Sequence, residues 1–174
     1  MDTLECINTK FEVRSFSNQV VPSEAKLVIL EAARSTGTGL NTQHWRFIIV
    51  EYRNSVLRVA EDSTSGKWVA GANFAILVLT NPKYNFHLID TGRVIQNMQL
   101  AAWSQGVASG LFTGYHEERL RNDFAIPRDL TTSAIVGFGY PARKLNAMQK
   151  NRLPLDRLVY YGRYGKQKEE PRVQ

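Results

Sequence analysis

The 174 residues predict an α+β fold in a single domain, residues 1–174, and three observations carry that expectation. Predicted helices and strands follow one another without the regular strand–helix alternation of a parallel sheet. No linker, low-complexity tract or repeat of roughly 20–50 residues divides the chain. Hydrophobic residues make up 43% and charged residues 22%, enough to bury a core and unlike a disordered or collagen-like chain. Residues 166–174 are charged and are expected to form a frayed, flexible tail.

Thr3 to Thr9 suits a short helix. Pro22-Ser23 opens a second, with Ser23 as the expected N-cap and Glu24 in the first turn, where the dipole favours an acid. Leu27, Val28, Leu30, Glu31 and Arg34 keep helical spacing, and Gly37 is expected to close the helix in the left-handed conformation. Arg46 to Glu51 is a β-rich run, Ser55 to Glu61 a further helix, and Phe74 to Leu79 a buried strand stopped by Asn81-Pro82. A long helix runs from about Ile89 to Gln105, where Val94, Met98, Ala101, Ala102 and Gln105 recur at helical steps before Gly106. Leu111 to Tyr115 and Thr131 to Val136 read as strands, the latter closed by a turn at Gly137-Phe138-Gly139-Tyr140-Pro141. Leu158 to Tyr161 reads as a terminal strand.

Several chemistries are excluded. Cys6 is the single cysteine and cannot close an intrachain disulfide, and the three histidines are too scattered for a zinc cage. A reducing, cytoplasmic setting is expected. No stretch reaches the roughly 20 apolar residues of a membrane helix, and Asp2 and Glu5 stand where a secretory signal would be apolar. The net charge of +6 suits an anionic partner, although the simpler reading is solubility. Gly137 to Ala142 matches a dinucleotide-binding string, but Pro141 removes an N–H where a helix would have to start, so the segment reads as a turn. Gly37-Thr38-Gly39 lacks the ending of a phosphate loop, no nucleophile elbow is present, and nothing local pairs Cys6 with His44, His87 or His116.

Three clusters remain. In Lys10-Phe11-Glu12-Val13-Arg14, Lys10 and Arg14 are four apart and would share one side of a helical turn, with an anion between them or simply solvent around them. In Lys150-Asn151-Arg152-Leu153-Pro154, the proline favours extended backbone, so Lys150 and Arg152 project together; the plainer alternative is a basic loop. Together the two clusters can clamp one phosphate. The third, from Ser35 to Phe47, is a polar loop running from a helix into a strand, either a connector or a source of backbone and amide groups for a planar ligand.

In this order the clusters resemble the flavin-dependent nitroreductase family. Lys10 to Arg14, followed by Phe16, stands where the family has its R-R-S-x-R phosphate segment, and Gly37 to Trp45 resembles its P-S-x-x-N-x-Q-P-W segment. Asp90 to Ala102 resembles the central helix, Gly106 to Tyr115 the segment approaching the flavin ring, Gly137 to Ala142 the G-x-P turn, and Lys150 to Leu155 the K-x-R-L-P clamp. The resemblance spans about residues 3–164. It departs at Phe11, at Glu12, which puts a carboxylate beside a phosphate site, at Gly37-Thr38, and at His44 in place of a proline.

The resemblance implies a mostly antiparallel central sheet flanked by helices, an intertwined homodimer, and FMN at the interface. By that match the cofactor-binding residues are Lys10, Phe11, Glu12, Arg14, Thr38, Leu40, Asn41, Leu111, Thr113, Gly114, Lys150 and Arg152, with Thr38 and Asn41 supplied across the interface. The implied reaction is ping-pong hydride transfer from NADH or NADPH through flavin N5 to a small-molecule acceptor such as a nitroaromatic or quinone. It needs no protein acid or base, so no catalytic residue is assigned, and no metal, membrane or nucleic acid. The C-terminus, Tyr160 to Tyr164, is expected to reach onto the partner, and Trp68, Tyr84, Phe86 and Tyr115 are candidate walls of an open substrate pocket. Three alternatives stand beside this reading: a relative that dehalogenates, desaturates or cleaves flavin; a flavin-binding redox protein with little turnover; and a basic nucleic-acid-binding domain, whose affinity would fall steeply with salt.

Overall fold

The computed structural model describes residues 1–144 and 150–167; the expected tail lies outside them from residue 168 on. Four strands, β1 (Arg46–Val50), β2 (Phe74–Thr80), β3 (Ala108–Phe112) and β4 (Thr131–Gly139), form one antiparallel sheet in the order β1-β2-β4-β3. The helices are α1 (Thr3–Thr9), α2 (Ser23–Arg34), α3 (Arg53–Glu61), α4 (His87–Ser104) and α5 (Glu117–Asp123). The α+β class expected from the sequence is the observed one.

β2 explains the layering. All seven of its residues are buried, because successive side chains point to opposite faces and both faces are covered. Phe74, Ile76 and Val78 pack with Ile29 and Ala33 of α2 and Val94 and Met98 of α4. Ala75, Leu77 and Leu79 pack with Val56 and Val59 of α3 and Leu120 of α5.

Several local expectations are corrected. Pro22, not Ser23, caps α2: its extended backbone (φ −66°, ψ 154°) suits proline's fixed φ, and no side chain completes the cap. The helix ends at Ser35 in right-handed geometry, and the left-handed residues lie further on, at Leu40, Asn41 and Gln43 rather than at Gly37. The strand expected at Leu111 begins three residues earlier, because pairing with β4 (Ala108 with Gly139, Phe112 with Ile135) sets its register. Gly137 and Gly139 are not in a turn but in β4, with Phe138 between them stacked on Phe74 at 4.9 Å. Leu158 to Tyr161 forms no strand; a 3-10 turn at Leu155–Arg157 and a series of bends replace it. Gly106, at φ +74°, does end α4 as expected.

The segment after α1 is extended rather than helical. Glu12 bridges in parallel to Ser109, and the Val13 N–H donates to the Ser109 carbonyl at 2.8 Å, so residues 12 and 13 lie along the outer edge of β3. They fit because Gly110 has no side chain: a Cβ there would stand 2.5 Å from the Val13 carbonyl oxygen and 2.8 Å from the Trp68 ring. We expect Gly110→Ala to destabilise the protein by about 2 kcal/mol and to free the N-terminal segment. Urea denaturation and hydrogen exchange at Val13 measure both; unchanged protection at Val13 contradicts it.

Candidate functional site

The first and second clusters meet. Lys10, Phe11 and Glu12, Ile7 and Asn8 from α1, Gln96 from α4, and Lys150 and Arg152 line one cleft of about 680 Å³, a size ordinary for a small-molecule site. Lys150 donates to the Ile7 carbonyl at 2.5 Å and stands 5.5 Å from the centre of the Phe11 ring. This anchors the returning chain against α1. Burial lowers the pKa of the Lys150 ammonium, with Arg152 and Lys10 adding repulsion. Cations that repel one another in one cleft favour an anion between them.

Glu12 is fixed within this cleft. Its Oε1 accepts from Gln99 Nε2 at 3.1 Å and pairs with the Lys10 ammonium, and its Oε2 accepts the Leu111 N–H at 3.0 Å. Lys10 donates a second bond to Gln99 Oε1 at 2.9 Å. Gln99 is only 2% exposed and sits on the apolar side of α4 beside Met98 and Ala102. A buried glutamine among apolar neighbours was the sequence signal for this part of the site, and it was missed.

Arg14 does not join the cluster. With the segment extended, its guanidinium lies 5.9 Å over the Trp68 ring. Thr113 is exposed, and the Gly114 carbonyl accepts from the Thr64 and Ser65 N–H groups; neither lines the cleft, whereas Leu111 reaches it through Glu12.

The third cluster stands elsewhere. Gly39 N–H donates to Asp90 Oδ2 at 3.0 Å, His44 Nε2 lies 3.1 Å from the same oxygen, and Arg93 donates to Oδ1 at 3.3 Å. Thr38 Oγ1 accepts the Gln43 N–H at 3.0 Å. These bonds hold Leu40 (φ 51°), Asn41 (φ 53°) and Gln43 (φ 45°) in left-handed geometry, at about 1 kcal/mol each for side chains other than glycine. Asp90 and Gln99 are nine residues apart on α4, about 13 Å along the axis. None of Thr38, Leu40 and Asn41 lines the cleft.

Each aromatic candidate is partly exposed and has a contact within the chain. Tyr84 and Phe86 pack on His44, with ring centres at 5.1 and 6.0 Å. Trp68 packs edge-on against Phe112 at 5.5 Å. Tyr115 donates to the Thr132 carbonyl, and burial pushes its phenol up to about 12. Among the described residues no group of three or more His, Cys, Asp or Glu side chains is placed to hold a metal, and no helix is long and apolar enough to cross a membrane.

The profile of the Nitroreductase family matches residues 9–70 and 56–140. A protein of Methanothermobacter thermautotrophicus, named as a candidate NADH dehydrogenase/NAD(P)H nitroreductase, is 30% identical over 151 residues, 82% of this chain and 78% of its own. The crystal structure of a protein with the same name from Bacteroides thetaiotaomicron superposes with a TM-score of 0.84 at 26% identity, over 92% of this chain and 97% of that one. An FMN-dependent nitroreductase of Clostridium difficile superposes at 0.86 with 18% identity, over 93% of this chain and all of its own (100%), a likeness of fold.

Two outcomes follow from the geometry. Asp90→Ala strands His44 and the Gly39 N–H and should cost about 3 kcal/mol in urea denaturation, with faster proteolysis between residues 37 and 44; an unmoved midpoint contradicts the tether. Lys150, its pKa lowered, loses its proton below the usual lysine value of about 10.4. Inorganic phosphate followed by phosphorus NMR should therefore leave the cleft as pH rises through that lowered value, and Lys150→Ala should abolish the step.

Proposed function

The chain belongs to the nitroreductase family of oxidoreductases, and from that premise we propose an FMN-dependent NAD(P)H oxidoreductase whose phosphate clamp is Lys10, Lys150 and Arg152. The observation that carries this reading is the convergence of those three cations on one cleft. They fit a phosphate dianion, with arginine supplying a planar fork and lysine a point charge. Phe11 packs edge-on against Trp103 at 6.5 Å, which stiffens the apolar wall of the cleft. Leu111, Thr113 and Gly114 are proposed to face the ring edge through their backbone. Bound there, the flavin would accept hydride from NADH or NADPH and pass it to a nitroaromatic, quinone or similar small acceptor in a ping-pong cycle. The chain's own part is to bind the phosphate, orient the ring and keep one face open; we assign no protein acid or base.

Arg14, over Trp68, is left out of the phosphate clamp. Thr38, Leu40 and Asn41 are proposed to act on the cleft of a second copy in a homodimer. Leu40 is 89% exposed beside Gly39, which is tied to Asp90, and Leu88 and Ile89 next to Asp90 are 62% and 68% exposed. An apolar patch at the same place as the strained loop suits a protein interface. Leu153, Leu155 and Tyr164 are also exposed, in keeping with a C-terminal segment that packs on the partner. We propose one domain over residues 1–174, working in the cytoplasm, where NAD(P)H is available. A flavin-binding protein with little turnover is the second reading, favoured by the Glu12 carboxylate in the cleft; stopped-flow reduction by NADH and by NADPH separates the two.

Lys150→Ala and Arg152→Ala should each weaken FMN about tenfold with the circular dichroism unchanged. A double variant that retains FMN like the wild type contradicts the clamp. Ile89→Glu should yield monomers by light scattering and weaken FMN at the same time; a dimer that persists removes this patch from the interface.

A further inference from the structure

The cationic cleft contains one anion of its own. Glu12 accepts hydrogen bonds from the Leu111 N–H and Gln99, and pairs with Lys10. An exposed ion pair alone would count for little, and the Glu12 side chain is 42% exposed. The backbone donor and the buried Gln99 change that. They hold both carboxylate oxygens in place, so the charge is a fixed part of the cleft rather than a mobile side chain.

Two consequences follow from the position. The Lys10 ammonium is shared with Glu12 and Gln99, so its pull on an incoming anion is partly offset, while Lys150 and Arg152 have no carboxylate partner among the described residues. The carboxylate also repels any anion bound in the same cleft, with an energy that reaches well beyond contact distance. A ligand of the same shape without a phosphate feels neither effect.

We propose that Glu12 sets the flavin specificity of this cleft by opposing the phosphate, narrowing the preference for FMN over riboflavin. The inference rests on the flavin reading above. In the wild type the preference for FMN over riboflavin is therefore smaller than the clamp cations alone would give. Removing the charge loosens Lys10, which keeps its bond to Gln99, and lifts the repulsion, which favours FMN alone.

The test is titration of the purified, flavin-stripped protein with FMN and with riboflavin, each followed by quenching of flavin fluorescence. Glu12→Gln should raise the ratio of FMN to riboflavin affinity about tenfold, with riboflavin affinity nearly unchanged. Glu12→Ser removes the same charge and should move the ratio in the same direction, so the result does not hang on one variant. A ratio that stays put or falls in both variants overturns the role given to Glu12, while wild-type binding of FMN leaves the flavin reading standing. A wild-type protein that binds neither flavin overturns the flavin reading itself.

Discussion

The contact on which the cleft depends is the one between residues 12–13 and the bare backbone at Gly110. β3 is the outer strand of its side of the sheet, an edge with unpaired backbone groups. The N-terminal segment covers it through the Glu12–Ser109 bridge and the 2.8 Å bond from Val13 to Ser109. Only a glycine at 110 lets the Val13 carbonyl approach that closely. Once the strap lies there, Lys10 at its start meets Gln99, and the Glu12 carboxylate meets the Leu111 N–H. Lys150 and Arg152 then complete the ring of charge from the far end of the chain.

α4 connects the two parts of the proposed site. Its buried side is apolar at Val94, Ile95, Met98 and Ala102, and polar at Asp90, Thr91 and Gln99. Asp90 holds the left-handed loop at Gly39 and His44, and Gln99 holds Lys10 and Glu12. Within one chain the two ends do not meet, because about 13 Å of helix separates them. In the proposed dimer, the loop of each copy would serve the cleft of the other. The exposed Leu40, Leu88 and Ile89 would then have an apolar partner in place of water.

Much of this was legible in the sequence, for identifiable reasons. The run from Phe74 to Leu79 is apolar on both faces, and only a strand covered on both sides explains it. The cationic pair at 150 and 152 was legible because proline restricts the residue before it. What stayed hidden depends on partners distant in the chain. α5 has one buried side chain, Leu120, among charges, and carries no periodic signal. β3 took its register from β4, not from its own composition. Arg14 was grouped with Lys10 on the assumption of a helical turn, and the strap's extended course sends it to Trp68 instead. Asp90, His44 and Gln99 became visible as site residues only once their burial was known.

The central claim is that three cations hold a flavin phosphate, and the visible absorption spectrum of the purified protein tests it most directly. The account predicts a flavin spectrum, with FMN released into the supernatant on denaturation and identified by chromatography. A colourless protein that also fails to take up added FMN would contradict it.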